Sequence, residues 1–238
     1  MKKILIVLSI CLLLCGCKKN DNELVMVTEA GFAPYEYYEN GEIVGVDVEI
    51  ANEIAKNLNK TLVIKDIYFD SIINELKSGK ADFAIAGISI TEERKKEVDF
   101  SNEYISSKQI VIVKNNSSIN SINQINRKII AVQLGSVADD YVTNNNITNN
   151  IVRQKKYLSM IEDLKAEKVD LIIMDELPAK EILKNNDGLK ILDGYIFEDN
   201  YAVAVKKGNT ELLNQINEVI DKLKQNGKID EYLLKYSK

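Results

Sequence analysis

The chain has 238 residues, with 36 acidic against 31 basic side chains, a formal net charge of −5 and no histidine. The missing histidine excludes a His-containing catalytic triad and every His-ligated metal site, and the scatter of both charge signs, without a basic stripe, argues against a nucleic-acid partner. Cys11, Cys15 and Cys17 are the three cysteines, all close to the amino terminus, so the body must be held by its core rather than by disulfides, and no metal or other cofactor is expected.

The first residues, MKKILIVLSICLLLCGCKKND, place Lys2 and Lys3 ahead of an apolar run from Ile4 to Cys15. That run is too short to span a bilayer comfortably and reads as a secretory signal over residues 1–16. Leu14, Cys15, Gly16 and Cys17 look like a lipobox, with Cys17 as the lipidated (palmitate-type) mature terminus and residues 17–22 as a tether. The expected location is the extracytoplasmic face of the cell envelope, in the periplasm or on the outer surface of the membrane.

Taken in order, the body alternates strands and helices. Leu24 to Thr28 (LVMVT) reads as a buried strand running into a loop with Glu29, Gly31, Phe32 and Pro34. Asn40-Gly41 suits a tight hairpin between Tyr35–Tyr38 and Glu42–Gly45. Val48, Ala51, Ile54, Ala55 and Leu58 recur at helical spacing behind Asp47, a candidate cap. Thr61 to Ile64 is a strand and Asp70 to Lys77 a helix ended by Gly79. Ala81 to Ile88 is an apolar run of the kind found in strands covered on both faces. It gives way to Ser89, to Thr91 as a helix cap, and to Arg94. Gln109 to Val113 is the next strand. Then come the strand Lys128–Val132, a helix starting at Val137, the helix Leu158–Lys165 and the strand Val169–Met174, which ends at Asp175. Pro178 and Ala179 open another helix. Tyr201 to Val205 is a late strand, and the helices Leu212–Leu223 and Ile229–Tyr236, separated by Gly227, return to the first half. A weak repeat aligns LKSGKADFAIAG (Leu76 to Gly87) with LKAEKVDLIIMD (Leu164 to Asp175), which supports two similar lobes.

Such alternation predicts an α/β fold with parallel sheets flanked by helices. Ligands in such folds lie outside the carboxyl ends of strands. Four strands end in polar or glycine-containing loops: at Glu29 to Phe32, at Ser89 to Arg94, at Gln133 to Ser136, and at Asp175. If two lobes face each other, these ends surround one cleft. A guanidinium presents a rigid fork of donors to a carboxylate, so Arg94 with Ser136 suits one charged end of a free α-amino acid, and Asp175 suits the ammonium. Taken alone, Arg94 is equally well a surface arginine in a charged turn, and Phe32 and Phe69 are core aromatics.

GVDVEIANEIAKNL (Gly45 to Leu58), FAPYEY (Phe32 to Tyr37), AGISITEERKKEVDFS (Ala86 to Ser101), VQLGS (Val132 to Ser136) and DLIIMDELPA (Asp170 to Ala179) together resemble the bacterial extracellular solute-binding proteins of family 3, which serve ABC importers of polar amino acids. The resemblance implies a two-lobed, periplasmic-binding-protein-like fold of type II, each lobe a mostly parallel sheet flanked by helices. Lobe 1 would span 23–107 plus 202–238 and lobe 2 would span 108–201, with a hinge near Ser107–Gln109 and Asn200–Ala202. It further implies that Arg94, Ser89 and the Ser136 backbone hold the ligand carboxylate, while Asp175 and the Gly87 carbonyl receive the ammonium. Phe32 and Phe69 would flank the side chain, with Glu29 and Gln133 selecting it and Met174 standing where some members carry a polar residue. A buried carboxylate at Glu29 favours a cationic side chain, arginine or lysine, with glutamine next. The implied partners are that amino acid, the permease and ATPase of an ABC importer, and the membrane through Cys17, with the chain itself a monomer. No nucleophile-and-base pair or phosphate loop points to an enzyme. The alternatives are a ligand-sensing lipoprotein and a dehydratase of amino-acid-like substrates on the same scaffold.

Overall fold

The computed structural model describes residues 21–237. The signal peptide, Cys17 and most of the 17–22 tether lie outside the described residues.

Eleven strands and eight α-helices alternate along these residues. The first half holds β1 (Glu23–Thr28), the hairpin β2 (Tyr37–Glu39) and β3 (Glu42–Val44), α1 (Val46–Asn57) and β4 (Thr61–Asp66), then α2 (Ile72–Lys77), β5 (Phe83–Ala84) and α3 (Glu92–Glu97). A long strand, β6 (Val98–Lys114), leads to β7 (Ile130–Gln133), α4 (Val137–Asn144), β8 (Ile151–Gln154), α5 (Tyr157–Lys165), β9 (Leu171–Asp175) and α6 (Glu176–Leu183). The chain closes with β10 (Leu189–Ile191), β11 (Phe197–Lys206), α7 (Thr210–Gln225) and α8 (Lys228–Tyr236).

Nine strands form one curled sheet in the order β4-β1-β5-β11-β6-β9-β7-β8, with β10 on β6. Its wings are parallel, β4/β1/β5 on one side and β8/β7/β9 on the other, as the alternation of elements predicts. The wings meet in the antiparallel pair β6/β11, so the two lobes share one sheet. The predicted strand Gln109–Val113 is only the end of β6, which continues back through both halves. Each wing repeats one connectivity, and the repeated aspartate explains the sequence match. Asp82 accepts the Val25 N–H at 2.8 Å, and Asp170 accepts the Ile129 N–H at 2.7 Å. In return the Asp82 and Asp170 amides donate to the carbonyls of Val25 and Ile129. In each lobe one carboxylate ties the start of the third strand to the start of the first.

The β6/β11 ladder is irregular where the wings join. Its register slips between Tyr201 and Ala202 and again between Ala202 and Ala204, with an extra β6 residue each time. Such bulges bend a strand and leave a residue out of the ladder. In the second one the Ser101 hydroxyl accepts the Val203 N–H at 2.9 Å, which satisfies a buried donor. On β11 the irregularity spans Tyr201–Ala204, and on β6 it spans Phe100–Ile105.

Three apolar clusters fill the space between sheet and helices. The largest packs α1, α5, α7 and α8 against the sheet, and smaller ones sit under α2 and α4. The two terminal helices, α7 and α8, pack on α1. Gly227, at φ 66°, separates them, a backbone state that glycine adopts without a Cβ clash.

Two local expectations are corrected. Asp47 does not cap α1: Gly45 is the N-cap, and Asp47 is buried inside the first turn. Its carboxylate accepts the Gly87 N–H at 2.9 Å and the Tyr104 hydroxyl at 2.9 and 3.0 Å. The predicted strand Ala81–Ile88 pairs regularly only at Phe83–Ala84. Gly87 at φ 52° turns the chain out of the extended conformation, after which Ser89 rejoins the sheet by bridging to Tyr201.

Candidate functional site

The four strand ends converge. Glu29, Phe32, Phe69, Gly87, Ser89, Arg94, Gln133, Ser136 and Asp175 all line one narrow cavity, and Glu36, Ala86, Val137 and Tyr157 complete its wall.

The Arg94 end is built by α3. Thr91 caps this helix by accepting the Arg94 N–H at 3.1 Å, which sets the arginine in its first turn. The guanidinium donates to the Ser89 carbonyl at 2.8 Å and, from the other wing, to the Gly135 carbonyl at 2.9 Å. Its centre lies 5.4 Å from the Phe69 ring. A guanidinium has five N–H donors, so these two bonds fix its plane and leave others for an anion. Burial lowers its pKa, opposed by Asp140, Asp199 and Asp175. The neighbouring groups are less available. Ser136 caps α4 with its hydroxyl on the Asp139 N–H at 3.2 Å, and its own N–H donates to the Gln133 carbonyl at 3.1 Å. The Ser89 hydroxyl donates to Asp199, which the sequence reading missed.

Gly87 has a specific steric role. A Cβ there would lie 2.5 Å from the Phe32 ring, so only glycine lets that ring close the wall. Phe32 also stacks on Tyr157, with centroids 5.1 Å apart. Behind Gly87 lies an acid pair: Glu36 is fully buried, and no donor reaches either of its oxygens. Burial, and then the charge of Asp47, push its pKa well up.

Asp175 ends β9. Its Oδ1 accepts from Ser107 and Gln109, each at 2.8 Å, and from the Tyr201 hydroxyl. All three donors converge on one oxygen, so Oδ2 is left for a cation. Burial first, and then repulsion from Asp199, raise its pKa to about 7.

Glu29 follows β1 and is 1% exposed. It accepts from Gln133 Nε2 at 3.4 Å and forms an ion pair with Lys156. The Tyr157 hydroxyl donates to Gln133 Oε1 at 2.9 Å, which fixes the direction of that amide. Burial raises the Glu29 pKa and Lys156 opposes the shift. Sequence reasoning missed Glu36, Lys156 and Tyr157. Glu36 had one visible signal, an acid flanked by Tyr35 and Tyr37, whereas the Lys155-Lys156-Tyr157 run reads as a solvated helix start.

Among the described residues there is no group of acidic side chains arranged to hold a metal, and no helix is long and apolar enough to cross a membrane.

Residues 24–238 match the profile of the bacterial extracellular solute-binding proteins, family 3. The arginine-binding extracellular protein ArtP of Bacillus subtilis is 30% identical, over 93% of this chain and 88% of its own length. An arginine-binding periplasmic protein of Mannheimia haemolytica is 33% identical, over 85% of this chain and 86% of its own. The crystal structure of the substrate-binding protein of an amino acid ABC transporter superposes with a TM-score of 0.85 at 41% identity, covering 90% of this chain and 98% of that one. A two-lobed fold, a cavity between paired strand ends and these similarities agree: the chain belongs to the bacterial extracellular solute-binding proteins of family 3, an amino-acid-binding protein of ABC transporters and not an enzyme.

Proposed function

We propose that the protein captures a free L-amino acid with a cationic side chain, arginine before lysine, and delivers it to the permease and ATPase of an ABC importer. Glutamine is the nearest competitor. One observation carries the choice: the nearly inaccessible carboxylate of Glu29 sits in the cavity wall beside an amide, Gln133, whose orientation is fixed. Lys156 pairs with Glu29 from the solvent side, and a cationic ligand end that reaches the carboxylate from the cavity gains a charge-assisted contact that a neutral one does not. The names of the two curated relatives support the same side chain. In this reading the carboxylate goes to Arg94 with Ser89 and the Ser136 turn, the ammonium to Asp175 and the Gly87 carbonyl, and the side chain runs between Phe32 and Phe69 toward Glu29.

The lobes are taken as 23–107 plus 202–238 and 108–201, hinged at the bulged β6/β11 crossover, with one chain as the working unit. Lipidation at Cys17 tethers it to the outer face of the membrane. Metabolic labelling with an alkyne fatty acid tests the anchor, and Cys17→Ser should abolish the label.

A thermal-shift panel of the twenty amino acids tests the ligand. At 100 times its dissociation constant a ligand adds about 2.7 kcal/mol of stability, so arginine should give the largest upward shift. A panel in which no amino acid moves the midpoint refutes amino-acid capture, and one led by an acidic or aliphatic residue refutes the cationic assignment.

A further inference from the structure

Glu29 already has a cation. Lys156 precedes α5 on the second wing, and its ammonium pairs with Glu29 Oε1 across the cleft. It comes from outside, because Lys156 lines the surface groove next to Asp66 and Tyr38 and is absent from the cavity wall. Its side chain is 39% exposed, against 2% for that of Glu29. A second acceptor is within reach: Asp66 Oδ1, at the end of β4, lies 3.9 Å from the same ammonium. Asp66 is held in place by accepting the Ala30 N–H at 2.9 Å and the Tyr38 hydroxyl at 3.4 Å. The adjacent Lys155 does not compete for it, since its ammonium is 3.9 Å from Asp70 and 4.4 Å from the Tyr68 ring centre. One lysine thus stands between two carboxylates, one facing the cavity and the other facing water.

We propose that Lys156 is a specificity-determining residue, an internal cation that a ligand's cationic side chain must displace from Glu29 onto Asp66, whereas a neutral side chain leaves the pair intact. This rests on the reading of Glu29 as the side-chain selector. It follows that Lys156 penalises arginine and lysine relative to glutamine, and that Asp66 reduces the penalty by receiving the displaced ammonium. Two cations on one buried carboxylate would repel, and a carboxylate nearby on the solvent side gives the lysine a low-energy alternative.

Isothermal titration of L-arginine and L-glutamine into wild type, Lys156→Gln, Asp66→Asn and the double variant tests this. Lys156→Gln should raise the ratio of arginine to glutamine affinity about tenfold, the order expected for one charge-assisted contact. Asp66→Asn keeps the acceptor for the Ala30 amide. It should weaken arginine several-fold and spare glutamine, but only while Lys156 is present, so the double variant should behave as Lys156→Gln alone. If Lys156 only latches the lobes together, its loss weakens both ligands by the same factor and the ratio stays put, which overturns the proposal. A fall in the ratio overturns it as well. Should Lys156→Gln not fold, Lys156→Met serves the same comparison. Wild type that binds neither probe removes the reading of the selector itself, and the proposal with it. Wild type that binds both with an unmoved ratio in the variants removes the proposal alone.

Discussion

In its proposed role as the ammonium site, Asp175 would couple recognition to protons. With its pKa raised from 3.8 to about 7, the folded protein retains a proton between those values that the unfolded chain has released. Stability from this group is therefore fully present below the unfolded value and is lost as pH rises through the folded one. Ligand binding under the proposed assignment runs the other way, because an ammonium requires the ionised carboxylate. Amino-acid affinity should fall below pH 7, by up to about tenfold per pH unit, and binding near pH 6 should release a proton. Calorimetry in buffers of different ionisation enthalpy measures that proton, and Asp175→Asn should remove it and weaken every ligand. Gly87 gives a steric counterpart. Gly87→Ala places a Cβ against Phe32 in a left-handed backbone, at a cost of about 1–3 kcal/mol or more, and denaturant midpoints report it. At this scale the sequence was informative wherever the partner was near: Thr91 caps the helix that carries Arg94, three residues away. It was uninformative about Asp47, whose partner Gly87 lies forty positions on, and about Lys156, whose partner Glu29 is on the other wing.

The elements show the same division. Strands buried on both faces, such as β1, β7 and β9, were legible as unbroken apolar runs, whereas β8 and β10 were not. Those two are short and have half-exposed residues, so neither length nor periodicity marks them. The internal repeat was visible only as a pattern, and its physical content is the matched pair of aspartates. Asp82→Ala and Asp170→Ala should therefore destabilise their wings by similar amounts, about 0.5–1.5 kcal/mol each for one lost backbone hydrogen bond. Urea unfolding of the two variants checks the equality, and a large effect from only one of them would show that the resemblance is not functional in the fold.

Across the whole molecule, the cavity has contacts from both wings: Arg94 reaches Gly135, and Lys156 reaches Glu29. If the bulged crossover is a hinge, saturating arginine should leave the radius of gyration at its compact value, while Arg94→Ala without ligand should expand it; small-angle scattering distinguishes the two. The placement of β11 has another consequence, for biogenesis. This strand lies between β5 and β6, and its residues Tyr201 to Val205 are wholly buried. A nascent chain thus delivers β5 and β6 about a hundred residues before the strand that joins them. Each wing has its own strand pairings before that point, so the junction between them is the part of the sheet that must wait for β11.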